Sequence, residues 1–385
     1  MKTHKKPKVA IVYQYIAHYR KSIFQRLSGD GDVEFTVISG RELDMSIKVL
    51  DPAIASEPVD QGGLRWMFVR NKWLAGRLLW QSGLDRELRD GGYDAVIFLG
   101  NAYYLSTWVQ AVRCKLRGVK VMMWGHGFLR EEAGLKGLIR KTFYKLASTH
   151  FVYSNRSIGI MRRMGLASKR FYQVNNSLDY PVHLALRDVI ACSEDPYEED
   201  NGLKLIFVGR LTSQKKLSEL VEAHAELRKK GIPASVYFIG DGNERDALER
   251  LADSLGTLES IHFMGAIYDE EKLAQYIYHA DICVSPGEVG LTAIHAMSFG
   301  TPVISHDNFD FQMPEFESII DGKTGAFFKQ GSITSLTDCI ESFAKVTEDR
   351  ESVRRNCLSM IDDNFTPEYQ CTVFKKGIFE ALADA

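Results

Sequence analysis

Cysteine is scarce and unpaired in this sequence of 385 residues. Cys114, Cys192, Cys283, Cys339, Cys357 and Cys371 form no Cys-x-x-Cys spacing, which argues against a disulfide frame or a cysteine zinc site and for reduced thiols in a cytosol. Long apolar runs are missing as well. The longest, such as Ala95-Val96-Ile97-Phe98-Leu99, fall far short of the ~20 residues of a membrane-spanning helix. The start, Met1-Lys2-Thr3-His4-Lys5-Lys6-Pro7-Lys8, is basic but leads into a β-branched run with no apolar signal region or cleavage site. Glycine is absent from Val12-Tyr13-Gln14-Tyr15-Ile16-Ala17 after that run, so no Gly-x-Gly-x-x-Gly fingerprint of a dinucleotide binder stands there. No short-period repeat or low-complexity tract occurs. What remains is ordinary globular composition, 45% hydrophobic and 25% charged, which excludes a disordered or collagen-like chain. At roughly 100–200 residues per domain the length implies two domains.

The net charge of −2 hides an asymmetry. Residues 1–180 carry 29 lysines and arginines against 15 acidic residues, whereas 181–385 carry 19 against 35. Opposite signs in the two halves suit two domains with different partners. A basic half can meet nucleic acid, an anionic membrane surface or a phosphorylated ligand. Nucleic acid is disfavoured because no recognisable nucleic-acid module lies in that half.

Short β-branched runs alternate with amphipathic stretches of 10–15 residues, the pattern of βαβ units and parallel sheets. Strands are expected at Val9–Tyr13, Val33–Ile38, Leu64–Val69, Ala95–Leu99, Val119–Trp124 and His150–Tyr153, with helices at Tyr19–Leu27, Lys72–Leu88, Tyr104–Leu116 and Leu135–Leu146. The acidic, turn-rich stretch 181–202 reads as a linker or solvated loop. The alternation then restarts at Leu203–Val208. The expected plan is a first domain over 1–180 completed by a C-terminal helix at 367–385, and a second over 203–366. Ligands of doubly wound sheets bind beyond the carboxyl ends of the strands.

Three stretches carry candidate chemistry. In Phe207-Val208-Gly209-Arg210-Leu211-Thr212-Ser213-Gln214-Lys215 a buried strand ends in Gly-Arg with a lysine five residues on. Such a pair of cations can hold a diphosphate, although a solvated basic turn has the same spacing. Ile239-Gly240-Asp241-Gly242-Asn243-Glu244 reads alone as a capped strand-to-helix turn. In Ser285-Pro286-Gly287-Glu288-Val289-Gly290-Leu291-Thr292-Ala293-Ile294-His295 a glycine-rich loop opens a helix, whose free N–H groups make an anion site around Gly290–Thr292.

In this order and spacing the three stretches resemble the nucleotide-sugar domain of glycosyltransferase family 4, the retaining enzymes of GT-B fold. Phe263-Met264-Gly265, Ala280-Asp281, Gly300-Thr301-Pro302, Asp321-Gly322-Lys323-Thr324-Gly325 and Asn176-Ser177-Leu178-Asp179 match further, and Trp124-Gly125-His126-Gly127 matches in the looser N-terminal half. The resemblance implies two Rossmann-like α/β domains facing each other across a cleft, with a nucleotide-sugar donor on the second. It implies donor contacts at Gly209, Gly240, Asp241, Glu288, Gly290, Leu291, Thr292 and His295, and catalytic roles for His126, Arg210 and Lys215. The family carries two glutamates with seven residues between them. Here the second falls on His295 and the first on Gly287, with Glu288 one place later. His295 is then expected to take the ribose and Glu288 the donor sugar. His18, Tyr19 and Arg20 follow the first strand on the acceptor side, where a capping or core role for the tyrosine is the alternative.

No Asp-x-Asp metal motif stands in a convincing loop, so neither metal nor cofactor is expected. The acceptor expected from family habit is a lipid-linked oligosaccharide of bacterial surface polysaccharide synthesis. Basic and aromatic residues interleave from Arg65 to Trp80 and from Phe128 to Lys145, which suits peripheral attachment to anionic lipid, placing the protein in the cytoplasm at the inner face of the plasma membrane. A GT-B epimerase and a non-enzymatic two-domain binding protein are the alternatives.

Overall fold

The β-branched runs become two parallel sheets. The computed structural model describes residues 6–41, 48–197 and 201–383. The chain divides into two compact units, Met1–Asp179 with Pro367–Ala385, and Tyr180–Thr366.

The first unit has strands β1 (Lys8–Val12), β2 (Glu34–Ser39), β3 (Trp66–Phe68), β4 (Arg70–Leu74), β5 (Leu78–Ser82), β6 (Ala95–Leu99), β7 (Lys120–Gly125), β8 (Thr149–Val152) and β9 (Arg170–Gln173). Seven of them form one parallel sheet in the order β3-β2-β1-β6-β7-β8-β9. Both faces are covered, as all-parallel sheets require. One face packs Phe24, Phe35, Trp124 and Phe374, the other Phe98, Phe128 and Phe143. The C-terminal helix Pro367–Ala383 belongs to this unit. Its Phe374 ring lies 4.8 Å from Trp124 and 4.7 Å from Phe151.

The helix expected over Lys72–Leu88 is instead the antiparallel hairpin β4–β5 followed by a short helix, Leu84–Asp90. Ala75 and Gly76 both take positive φ at its tip, the geometry a tight hairpin turn demands. Polar residues hold the hairpin in place. Gln81 Nε2 donates to the Tyr13 carbonyl at 2.9 Å, and Asn71 Nδ2 donates to that of Gln14 at 2.8 Å.

His150 lies buried in β8, stacked on Phe171 at 5.3 Å. Burial, with Lys169 adding repulsion, pushes its imidazole down to about 3. The unfolded chain therefore binds this proton at higher pH than the folded one. The stability is complete above the ordinary histidine value and is lost as pH falls through it toward about 3. His150→Phe is expected to flatten the fall in unfolding free energy between neutral pH and pH 4, read by urea titration. An unchanged acid slope would refute this.

The second unit has strands β10 (Leu203–Val208), β11 (Ala234–Ile239), β12 (Ile261–Gly265), β13 (Ile282–Ser285), β14 (Val303–His306) and β15 (Gly325–Phe328). They form a parallel sheet in the order β12-β11-β10-β13-β14-β15, which reverses direction between β10 and β13. The stretch 181–202 is only partly a loop. Tyr180–Ala191 is a helix of the second unit, anchored by Arg187, whose Nε donates to the Ser298 carbonyl at 2.8 Å and whose Nη1 donates to Asp362 at 2.9 Å. An amphipathic helix was concealed there by the acidic residues that follow it; 198–200 of that run lie outside the described residues.

Candidate functional site

At the switch point of the second sheet, the loops after β10, β11, β12 and β13 are joined by backbone hydrogen bonds. Gly209 N donates to Ile239 O at 2.9 Å, Gly240 N to Gly265 O at 2.8 Å, Leu211 N to Asp241 O at 3.0 Å and Gly287 N to Lys215 O at 2.9 Å. The close approach explains one glycine. Gly240 has φ 147°, and a Cβ there would lie 1.9 Å from the Gly209 carbonyl oxygen. A side chain there would keep the two loops from touching. Asp241 is exposed and its Oδ1 accepts from Gly242 N at 2.8 Å.

These loops present the two cations differently. The Arg210 side chain is exposed and has no hydrogen-bond or ion-pair partner among the described residues. Lys215 is largely buried. Its Nζ donates to the Glu288 carbonyl at 2.9 Å and lies 3.8 Å from Glu288 Oε1. Burial lowers its pKa, Glu288 and Glu315 oppose that, and Arg210 adds repulsion. Lys215 therefore both carries charge and shapes the glycine-rich loop. Glu288 is drawn to Lys215 at that position. Gly290, where a Cβ would make only ordinary contact with the Met313 side chain at 3.9 Å, leads into the helix Leu291–Ser298, whose first N–H groups can bind an anion. Leu291 is partly exposed at its start.

Gln312 is a loop-positioning residue that the sequence did not reveal. Its Oε1 accepts from Val289 N at 2.7 Å, and its Nε2 donates to Ser305 Oγ at 2.8 Å and the His306 carbonyl at 3.0 Å. No spacing rule links position 312 to 289.

Two expected donor contacts are engaged elsewhere. Thr292 Oγ1 donates to the Val208 carbonyl at 2.9 Å, tying the helix to β10. His295 Nε2 lies 2.7 Å from Glu270 Oε1, and its ring stacks on His183 at 5.1 Å. The residue expected on the ribose is thus held in an internal polar cluster. Burial would raise the Glu270 carboxyl, but hydrogen bonds from His183 and His295 outweigh it and hold that group well below the usual carboxylate range.

In the first unit the carboxyl ends of β1, β7 and β8 build an aromatic cage. Arg20 is buried, with its guanidinium 5.3–5.8 Å from the rings of Trp124, Tyr19, Tyr153 and Tyr13. Its Nη2 donates to Tyr153 Oη at 3.0 Å. Arg20 is therefore part of the wall rather than an open surface cation, while His18 is exposed and Tyr19 partly so. His126 follows β7 with its ring 4.9 Å from Tyr153. Its Nδ1 is buried and has no partner among the described residues. Burial first, then Arg20 and Arg140, push this imidazole down to about 4, so it is neutral at physiological pH.

Two parallel doubly wound sheets in one chain define a GT-B protein. The solved structure of Anabaena Alr3699/HepE in complex with UDP is similar at TM-score 0.69 and 14% identity, over 97% of this chain and 100% of that one. The family model described as glycosyl transferases group 1 matches residues 193–359 of this chain. It is 30% identical over 139 residues to an uncharacterized glycosyltransferase of Methanocaldococcus jannaschii, covering 35% of each. It is 27% identical over 169 residues to the alpha-monoglucosyldiacylglycerol synthase of Acholeplasma laidlawii, covering 43% of this chain and 39% of that protein. These alignments thus span well under half the length of the curated relatives.

Proposed function

We propose that the chain is a retaining glycosyltransferase that moves a sugar from a nucleotide-diphosphate donor, most simply a UDP-sugar, to a hydroxyl of an acceptor sugar. The observation that carries this is Arg210, exposed beside Lys215 and the start of helix Leu291–Ser298 on the strand ends of the second unit. As the glycosidic bond breaks, charge grows on the leaving diphosphate, and these groups are placed to balance it. The departing phosphate oxygen takes the acceptor proton in a front-side displacement through an oxocarbenium-like state. The UDP bound by the solved relative favours a uridine donor. A thermal-shift screen of UDP-, GDP- and ADP-sugars tests the proposal, since a ligand at 100 times its Kd adds about 2.7 kcal/mol. No shift with any nucleotide sugar would refute it. UDP released only when acceptor is added separates transfer from epimerisation.

The proposed acceptor is a lipid-linked oligosaccharide met at the inner face of the plasma membrane. The lipid product named for the Acholeplasma relative is in keeping with this. No helix among the described residues is long and apolar enough to cross a membrane. The helix Gly134–Lys145, however, exposes Leu135, Leu138 and Ile139 on one face beside Lys136. Apolar side chains with flanking lysines suit insertion into an anionic lipid surface. Binding to vesicles containing phosphatidylglycerol is expected to weaken as salt rises, and Leu135→Ser with Leu138→Ser is expected to abolish it. Equal binding to neutral and anionic vesicles in a sedimentation assay, or none to either, would refute the membrane assignment.

A further inference from the structure

Three side chains from three separate helices meet inside the second unit. His183 comes from Tyr180–Ala191, Glu270 from the first turn of Glu270–His279, and His295 from Leu291–Ser298. Both imidazoles turn Nε2 toward one carboxylate oxygen, His295 at 2.7 Å and His183 at 3.2 Å from Glu270 Oε1. The two rings are within 11° of parallel, and Phe299 lies 5.2 Å from one and 5.8 Å from the other. One ligand-capable atom from each residue lies within 4.8 Å of the other two.

We propose that His183, Glu270 and His295 bind a divalent transition-metal ion of the zinc class. Two imidazole nitrogens and a carboxylate oxygen are a donor set that zinc accepts readily, with bonds of about 2.0–2.2 Å. A tetrahedral ion with such bonds holds its ligands about 3.3 Å apart. His183 has about that spacing from Glu270; His295 must move out from Glu270 Oε1, and the two nearly parallel rings, whose ligand atoms lie within 4.8 Å of each other, must turn toward a common point. The two histidine side chains are 5% and 15% exposed, while that of Glu270 is 36% exposed. An ion can therefore enter from the Glu270 side, and water can complete its shell there. Phe299 closes the other side, and this apolar wall keeps competing solvent away from the nitrogens.

The ion would act as a staple. Tyr180–Ala191 is the element with which the chain enters the second unit, and Leu291–Ser298 is the helix whose N-terminus faces the loop of Arg210 and Lys215. Linking both to Glu270–His279 fixes the axial position of the anion-binding helix. No short motif announces the site, because its ligands are far apart in the chain. Neither metal uptake nor its test depends on the proposed glycosyl transfer.

The test uses the full chain, purified without a histidine tag and freed of metal by a chelator. Zn2+ is titrated against a colorimetric competitor, and Co2+ is followed by its visible d–d absorption. The wild-type chain is expected to take up one equivalent of Zn2+ and to show a four-coordinate Co2+ spectrum. His183→Ala, His295→Ala and Glu270→Gln should each weaken uptake by more than the roughly 10–100-fold typical of losing an outer partner of a metal ligand. Glu270→Gln keeps the shape and hydrogen-bonding capacity of the side chain, so it reports on ligation even if an alanine variant unfolds. A folded wild-type chain that takes up neither ion, or one that Glu270→Gln matches in uptake, would overturn the proposal and leave a hydrogen-bonded His-Glu-His cluster.

Discussion

Arg210→Ala and Lys215→Ala are each expected to lower kcat by about 10²–10³, the usual cost of losing one preorganised group that stabilises transition-state charge. The two variants should differ in everything else. The Arg210 side chain is exposed with no hydrogen-bond or ion-pair partner among the described residues, so its loss should leave thermal stability within about 0.5 kcal/mol of wild type. Its effect belongs almost wholly to the reacting state, with a smaller rise in donor KM. Lys215 also holds the Glu288 carbonyl and approaches its carboxylate. Removing it frees the loop before helix Leu291–Ser298, and donor KM should rise together with the fall in kcat. Arg210→Lys should recover only part of the loss, because an ammonium cannot make the bidentate contact of a guanidinium. Steady-state kinetics and thermal denaturation of the three variants decide the matter. If both alanine variants turn over at near wild-type rate in metal-free buffer, the diphosphate assignment and the mechanism built on it are wrong.

The residues that were legible in the sequence are those whose role is local. The strand Ala95–Leu99 and the helix Leu105–Leu116 occur where their patterns indicate, and the strands end where Gly209 and Gly240 turn into loops. The hairpin β4–β5 was misread because Trp73, Leu74, Leu78 and Leu79 also satisfy a helical period, and the decisive anchors, Asn71 and Gln81, reach carbonyls far away in sequence. The strand Arg170–Gln173 was missed because it is only four residues at a sheet edge. Within the candidate site, the charge at Arg210 and Lys215 follows from spacing. The support for it does not, since Gln312 meets Val289 and Glu270 meets His295 only through tertiary packing. Thr292 stands at the helix start, where its hydroxyl is bonded to the end of the neighbouring strand and its backbone N–H belongs to the proposed anion site.

His126→Ala is expected to reduce turnover at least roughly tenfold, the value of one hydrogen bond of about 1–1.5 kcal/mol, and to leave the affinity for free nucleotide nearly unchanged. His126 belongs to the first unit, whereas the proposed diphosphate groups belong to the second. Its Nδ1 is buried without a partner among the described residues. An unpartnered buried polar atom costs free energy in the protein. The ring is neutral because burial, Arg20 and Arg140 push it down to about 4. It can therefore donate or accept one hydrogen bond but carries no positive charge at working pH. The dependence on pH distinguishes this role from an imidazolium. The wild-type kcat/KM should show no limb from His126 near the ordinary histidine value of 6.5, and a loss due to its protonation should begin only near pH 4. His126→Asn, which keeps a hydrogen-bonding group that cannot titrate, should recover part of the turnover with the same flat profile. Near-normal turnover of His126→Ala would reduce His126 to a loop residue packed on Tyr153. A wild-type limb near pH 6.5 that disappears in His126→Asn would show that the charged ring takes part.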